Sequence, residues 1–232
     1  MSAFPIDRLR PPARVTYRAA GRYLELRPYA FTDVDRLAAA IERSRAELKG
    51  FMPWSHAPST REQDFDLVAR FQASYWSGRE YIYGVFSEEG ALLGGCGLHP
   101  RTALNPAALE VGYWCHSEHA GQGITTLAVK VLAVLAFDRF ACDRLQVMHD
   151  EANVASQRVV EKCGFVYEGT MRNATAAVTP EVRAGGYLGT GRHRLYGITP
   201  EEFSTFGWVG EVRAAVTYFD AFGASVDGRS TR

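Results

Sequence analysis

The stretch Gly112-Tyr113-Trp114-Cys115-His116-Ser117-Glu118-His119-Ala120-Gly121-Gln122-Gly123-Ile124-Thr125-Thr126 concentrates the residues that could do chemistry. A strand-like run enters a turn with two glycines and passes directly into an apolar helix. Glycine lets the backbone approach a ligand closely, and the free amides of a first helical turn point outward. With the helix dipole, such a turn makes a cradle for a pyrophosphate. The two common nucleotide fingerprints are absent. Gly123 is followed by Ile124 rather than Lys-Ser/Thr, and Thr126 stands where a dinucleotide loop needs a third small residue. A lone Gly-x-Gly is more often a plain tight turn; its place between a strand and a buried helix favours the cradle.

Other groups offer weaker chemistry. Cys115, His116 and His119 are metal-ligand types, but their spacing is loose and no fourth ligand is evident, so no metal is expected. Cys115 as a covalent nucleophile with a histidine base is a further alternative, against a plain core or pocket thiol. Trp54 and Trp76 are candidates to line a pocket, with Trp54 better placed in the break Phe51-Met52-Pro53-Trp54. His99 and His149 suggest no role.

The elements that must position these residues follow from patterning. Tyr23 to Arg27 alternates as a strand and stops at Pro28. Thr32, Asp33 and Asp35 open a helix on which Leu37, Ile41 and Leu48 share a face until Gly50. Thr60 to Gln63 is a capping box for a second helix. Tyr81–Phe86 and Ala91–Leu98 form a hairpin around Ser87-Glu88-Glu89-Gly90, and a fourth strand runs from about Ala108 to Cys115. The helix from Ile124 to Phe140 carries only Lys130 as a charge before Phe137, so burial on most sides is expected. Arg144 to Met148 is a fifth strand, and Asn153 caps a helix ended by Gly164. Phe165-Val166-Tyr167 and Leu195 to Ile198 are further strands. From Val216 the chain turns Gly/Ser-rich and reads as a partly frayed tail.

Composition bounds the rest. The 232 residues are 47% hydrophobic and carry 26 basic and 26 acidic side chains, which excludes a wholly disordered chain and any global pull toward nucleic acid or membrane. Five arginines (Arg8, Arg10, Arg14, Arg18, Arg22) face only Asp7 in the first 22 residues, so residues 1–22 read as a basic arm, either a solubilising tail or a docking segment. The four cysteines lack paired spacing and suit a reducing compartment. With no span-length apolar run and no signal-like N-terminus, a cytoplasmic location is expected.

Two signatures resemble the GNAT superfamily of N-acetyltransferases, and within it the RimJ/RimL type that acts on ribosomal proteins. The first is Gly112-Tyr113-Trp114 with Glu118-His119-Ala120-Gly121-Gln122-Gly123-Ile124, similar to the family's acetyl-CoA loop. The second is Asn153-Val154-Ala155-Ser156 continuing to Glu161-Lys162-Cys163-Gly164-Phe165, then Glu168-Gly169. Leu26-Arg27-Pro28 with Asp33, and Met52-Pro53-Trp54, also match, so the resemblance covers roughly residues 23–199.

This resemblance implies an α+β fold with a mixed, mostly antiparallel sheet splayed between strands 4 and 5 and flanked by helices. The domain would span 23–200, with residues 201–232 as an extension. Acetyl-CoA would be the cosubstrate, with no metal. Trp114, Cys115, Glu118, His119, Ala120, Gly121, Gln122, Gly123, Ile124, Thr125, Asn153 and Ser156 would bind it, a backbone amide near Trp114 or Cys115 meeting the oxyanion. Glu110 is the first candidate for general base, against an exposed strand carboxylate; Ser156 would protonate the thiolate, against a plain capping role. Trp54 and Tyr113 would face the acceptor. A homodimer is a family-level expectation. One departure stands out: the acid that RimL-type members carry soon after Glu-Gly is missing from Met171-Arg172-Asn173-Ala174-Thr175-Ala176. The acceptor is therefore a protein N-terminal amine or a small amine, and a non-catalytic acetyl-CoA-binding module is the third alternative.

Overall fold

The computed structural model describes residues 11–100 and 105–226. Strands β1 (Arg14–Ala19) and β2 (Arg22–Arg27) form a hairpin turned by Ala20 and Gly21 at φ of 50° and 70°. Two successive left-handed residues suit the right-handed twist of a two-residue hairpin. Residues 14–22, expected in a basic arm, are therefore sheet. Alternation decides it: Val15 and Tyr17 are buried, while Arg14, Thr16 and Arg18, which alternate with them, face outward. Residues 1–10 of that expected arm lie outside the described residues.

Next come α1 (Val34–Leu48), α2 (Arg61–Trp76), β3 (Tyr81–Phe86), β4 (Leu92–Pro100) and β5 (Ala108–Cys115). The capping box on α2 forms as expected, with the Gln63 amide donating to Thr60 Oγ1 and the Thr60 amide donating to Gln63 Oε1 at 2.8 Å. α3 (Ile124–Asp138), β6 (Arg144–Asp150), α4 (Val154–Cys163), β7 (Val166–Arg172), α5 (Pro180–Ala184) and β8 (Arg192–Ile198) follow. α3 buries nearly every residue from Leu127 to Ala136, its one charge, Lys130, resting over the Trp208 ring.

The chain ends in α6 (Pro200–Thr205), α7 (Val209–Ala215), β9 (Val216–Phe219) and β10 (Ser225–Val226). Fraying from Val216 was the expectation; instead β9 pairs with β1 and carries β10 on its other edge. Phe203, Val209, Val212 and Tyr218 enter the main core, so this segment seals an edge that β1 would otherwise leave open. Residues 227–232 lie outside the described residues.

The ten strands form one sheet in the order β10-β9-β1-β2-β3-β4-β5-β6-β8-β7, and only β5 and β6 are parallel. Their pairing stops after Glu110–Gln146, although β5 runs on to Cys115 and β6 to Asp150. The expected splay is thus present between β5 and β6, the numbering having moved because β1 adds a strand. Leu109, Val111, Leu145 and Val147 point to the face covered by α3 and α4. Tyr29, Phe86, Leu92 and Trp114 belong to the opposite face, under α1 and α2.

Candidate active site

β5 leads into a short 3-10 turn (Ser117–His119) and then into α3 through Gly121 and Gly123, at φ of 77° and 75°. Only glycine takes that left-handed pair without strain. The turn is anchored on α1, where the Ser117 amide donates to Ser44 Oγ at 3.0 Å. Amides of Glu118, His119 and Ala120 are spent inside it, on His116 Nδ1, His116 O and Ser117 O. The next six amides, from Gly121 through Thr126, meet no protein acceptor among the described residues. Of the amides expected to hold a pyrophosphate, the run left unpaired thus starts at Gly121. Space beyond Gly121 is open, and Arg22 Nη2 donates to Gln122 O at 3.0 Å, which sets a guanidinium beside Gly123. Donors, dipole and cation meet at one helix N-terminus, an arrangement that fits a diphosphate.

The splay supplies a second set of free groups. His116 donates its amide to Leu93 O, and the β4–β5 ladder is unbroken from Gly94–Cys115 to Pro100–Leu109. Strict alternation then turns the amides of Gly112 and Trp114 toward β4, and those of Tyr113 and Cys115 toward the gap. Of the two amides expected to meet the oxyanion, that of Cys115 faces the gap and that of Trp114 faces β4. The Trp114 indole lies across Gly95, where a Cβ would stand 2.3 Å from Nε1, and packs under α1.

On the α3 face, Asn153 Oδ1 caps α4 by accepting from the Ser156 amide at 3.0 Å. This puts Ser156 Oγ 2.7 Å from Tyr113 Oη, bridging α4 and β5 across the head of the gap. Tyr113 is thus on the side of Ser156, away from Trp54. Burial pushes the Tyr113 phenol and the Cys115 thiol up, so both stay protonated at neutral pH, the Thr125 hydroxyl opposing the rise at Cys115. His149 stands across the gap: Glu110–Gln146 fixes the register, and three residues on in each strand are Tyr113 and His149. Its Nδ1 donates to Asp150 O at 2.8 Å, and its Nε2 is buried without a partner.

On the α1 face a polar row crosses four strands at one level. Glu80, at the foot of β3, meets His99; His99 is cross-strand from Glu110; Glu110 accepts from Gln146 Nε2 at 3.1 Å. One level along, Gly97 pairs with Gly112, and the His99 ring lies over both. Glu110 and Ser156, the expected acid–base pair, therefore lie on opposite faces of the sheet. The Glu-Gly carboxylate, Glu168, is held below the usual range by Arg144, whose Nη1 donates to it at 2.7 Å.

The long segment after β7 folds over the same face. Asp150 pins it, accepting from the amides of Thr190 at 2.7 Å and Gly191 at 3.1 Å, while the Leu188 amide reaches Gly50 O at 2.8 Å. A cleft of about 580 Å³ lies between α1, the turn after Trp54, and α5, lined by Arg45, Lys49, His56, Glu42 and Glu181. Trp54 stands half-exposed on that turn; Trp76 is equally exposed at the end of α2. Sequence reasoning missed His99, Asp150 and Arg22, whose partners are 19 to 100 residues away.

Among the described residues, no cluster of three or more His, Cys, Asp or Glu is arranged to hold a metal, and no helix is long and apolar enough to cross a membrane. Residues 23–166 match the family described as the acetyltransferase (GNAT) domain. A ribosomal-protein-serine acetyltransferase of Escherichia coli is 26% identical over 151 residues, covering 65% of this chain and 83% of its own. Among solved structures, RimJ of Mycobacterium smegmatis in complex with CoA-disulfide superposes with a TM-score of 0.72 at 21% identity, covering 88% of this chain and 95% of its own. RimL, a ribosomal L7/L12 alpha-N-protein acetyltransferase in complex with coenzyme A, gives 0.67 at 20%, covering 79% and 97%.

Proposed function

The chain belongs to the GNAT acetyltransferase family, and from that premise we propose that it acetylates the α-amine at a protein N-terminus. It is an acetyl-CoA-dependent N-acetyltransferase. Bound acetyl-CoA supplies an activated acetyl thioester. The amides of Gly121 to Thr126 and the Arg22 guanidinium would hold its pyrophosphate. The Asn153 side-chain amide nitrogen, unused in capping, and the gap-facing backbone of β5 would hold its pantetheine arm. Tyr113 and Ser156 would sit at the sulfur, with Ser156 Oγ returning a proton to it and the Tyr113 or Cys115 amide meeting the carbonyl oxygen. We place this activity in the cytoplasm, in keeping with four free thiols, of which Cys96, Cys142 and Cys163 are buried.

The observation that carries the acceptor class is the open, two-signed cleft on the α1 face, roofed by the segment pinned at Asp150. A small cationic amine is better served by an enclosed acidic pocket, whereas an open groove with both charges suits an extended peptide. The names of the E. coli relative and of the RimL neighbour point the same way. The test is CoA release from acetyl-CoA with peptides bearing free Ala or Ser N-termini, set beside a panel of small amines. Faster turnover on peptides is expected; turnover confined to small amines overturns the reading.

A further inference from the structure

The missing downstream acid leaves the reaction without an obvious proton acceptor, and the α1 face holds a group placed for that task. His99 Nδ1 lies 3.0 Å from Glu80 Oε1. A carboxylate can only accept, so Nδ1 carries the proton and Nε2 presents its lone pair. That nitrogen has no partner among the described residues and does not belong to the sealed interior. It rests directly on two glycines: a Cβ at Gly97 would stand 3.0 Å from Nε2 and one at Gly112 3.1 Å. Gly112 immediately precedes Tyr113, where the gap-facing amide and the Ser156 hydroxyl converge from the opposite face. Two absent side chains thus leave room for the imidazole itself, seated one step from the gap.

We propose that His99 is the general base of the transfer and that Glu80 is its positioning residue. The inference rests on the acetyltransfer reading above and adds the group that takes the proton. An α-amine titrates near 7.7–8.0, so much of it enters as ammonium at neutral pH. His99 Nε2 takes one proton from that ammonium and passes it to solvent. The freed nitrogen pair forms the C–N bond to the acetyl carbon as the C–S bond breaks. The nitrogen loses a second proton, and the sulfur leaves with the electron pair and gains one through Ser156. Atoms and charge balance: ammonium and thioester give amide, thiol and one proton. Glu110 faces the same ring from β5, and Glu80 from the start of β3. Glu110 is already engaged by Gln146 and is the poorer acceptor.

The experiment is kcat/KM for the best acceptor against pH at saturating acetyl-CoA, for wild type, His99→Gln and Glu80→Gln. Acetyl-CoA affinity is measured alongside by titration calorimetry. His99→Gln is expected to lower kcat/KM on the order of 100-fold or more and to abolish the acidic limb of the profile. Acetyl-CoA affinity stays unchanged, which also reports that the variant folds. Glu80→Gln falls on the order of tenfold, keeping a displaced limb. Imidazole in solution partly restores His99→Gly and not Glu80→Gln. A His99→Gln enzyme with wild-type rate and limb overturns the assignment, as does a rate loss matched by loss of acetyl-CoA affinity. If wild type acts only on small amines, the peptide reading fails by itself, and the variants are compared on that amine instead.

Discussion

Two histidines stand on the two sides of the open strand pair, and their surroundings differ in kind. His149 faces α3 and α4, stacked on Tyr196 and sealed, with burial holding its ring neutral. His99 faces α1, part-buried, its far nitrogen packed on two glycines beside the gap. The same contrast separates the two halves of the site. On the α3 face the groups are local: a turn, a helix cap and a hydroxyl pair within one strand–helix passage on either side of the gap. On the α1 face they are assembled by register alone, Glu80, His99, Glu110 and Gln146 coming from four strands. A cosubstrate common to a whole family can be held by a fixed local device. An acceptor that varies is met by side chains whose pairing can change while the backbone stays.

The sharpest break in this comparison is Gly121→Asp. A carboxylate about 4 Å from a diphosphate charge costs on the order of 4 kcal/mol at an effective dielectric of 20, roughly 1000-fold in affinity. Acetyl-CoA binding by calorimetry is expected to vanish from the accessible range, while stability falls only by the strain of a left-handed aspartate, about 1 kcal/mol, since open space surrounds that position. Retained affinity would move the cradle elsewhere. Gly112→Val attacks the other half. Its backbone is not left-handed, so a β-branched residue suits the strand, but its Cβ would stand 3.1 Å from His99 Nε2 and push the ring out of place. Turnover on the amine should drop roughly 100-fold from misplacement, with acetyl-CoA affinity unaltered. Parallel loss of both would show that the two faces are not separable.

The sequence made one of these halves readable and hid the other. Gly121, Gly123, Asn153 and Ser156 declare themselves because a turn, an N-cap and a helix start use neighbours within four residues. His99 carried no signal: its meaning depends on Glu80 across a hairpin and on two glycines that read as breakers. Arg14, Arg18 and Arg22 were misleading, since charge density outweighed the alternation of Val15 and Tyr17 that makes β1. The C-terminal strand was hidden for a related reason, as Val216 to Phe219 becomes a strand only because β1 offers an edge. Trp114 sits in the motif, yet its indole serves the packing of α1.

Ser156→Ala is a smaller effect on the α3 face. A thiolate departs readily, so loss of the Ser156 hydroxyl should cost on the order of tenfold in kcat, below the usual range for a general acid. Acetyl-CoA affinity should not change, because the Asn153 cap uses the Ser156 amide and survives the substitution. An unchanged rate would reduce the serine to its place in the helix cap and leave Tyr113 alone at the sulfur.

The smallest expected effect concerns stability and returns to His149. Burial lowers its pKa in the fold; the Asp150 carbonyl opposes this by accepting from Nδ1, and Arg194 and His193 add to the lowering. In the unfolded chain the ring titrates near 6.5. Below that pH the unfolded state binds a proton that the folded state refuses, so stability rises with pH across this window. It is complete above the unfolded value and declines as pH falls toward the folded one, by at most about 1.4 kcal/mol per unit. Thermal midpoints of wild type and His149→Gln between pH 7.5 and 5.5 should therefore converge at the acidic end, the glutamine variant keeping the flatter slope. Equal slopes would mean that the ring reaches water despite its burial, and the contrast between a sealed histidine and an open one would not hold.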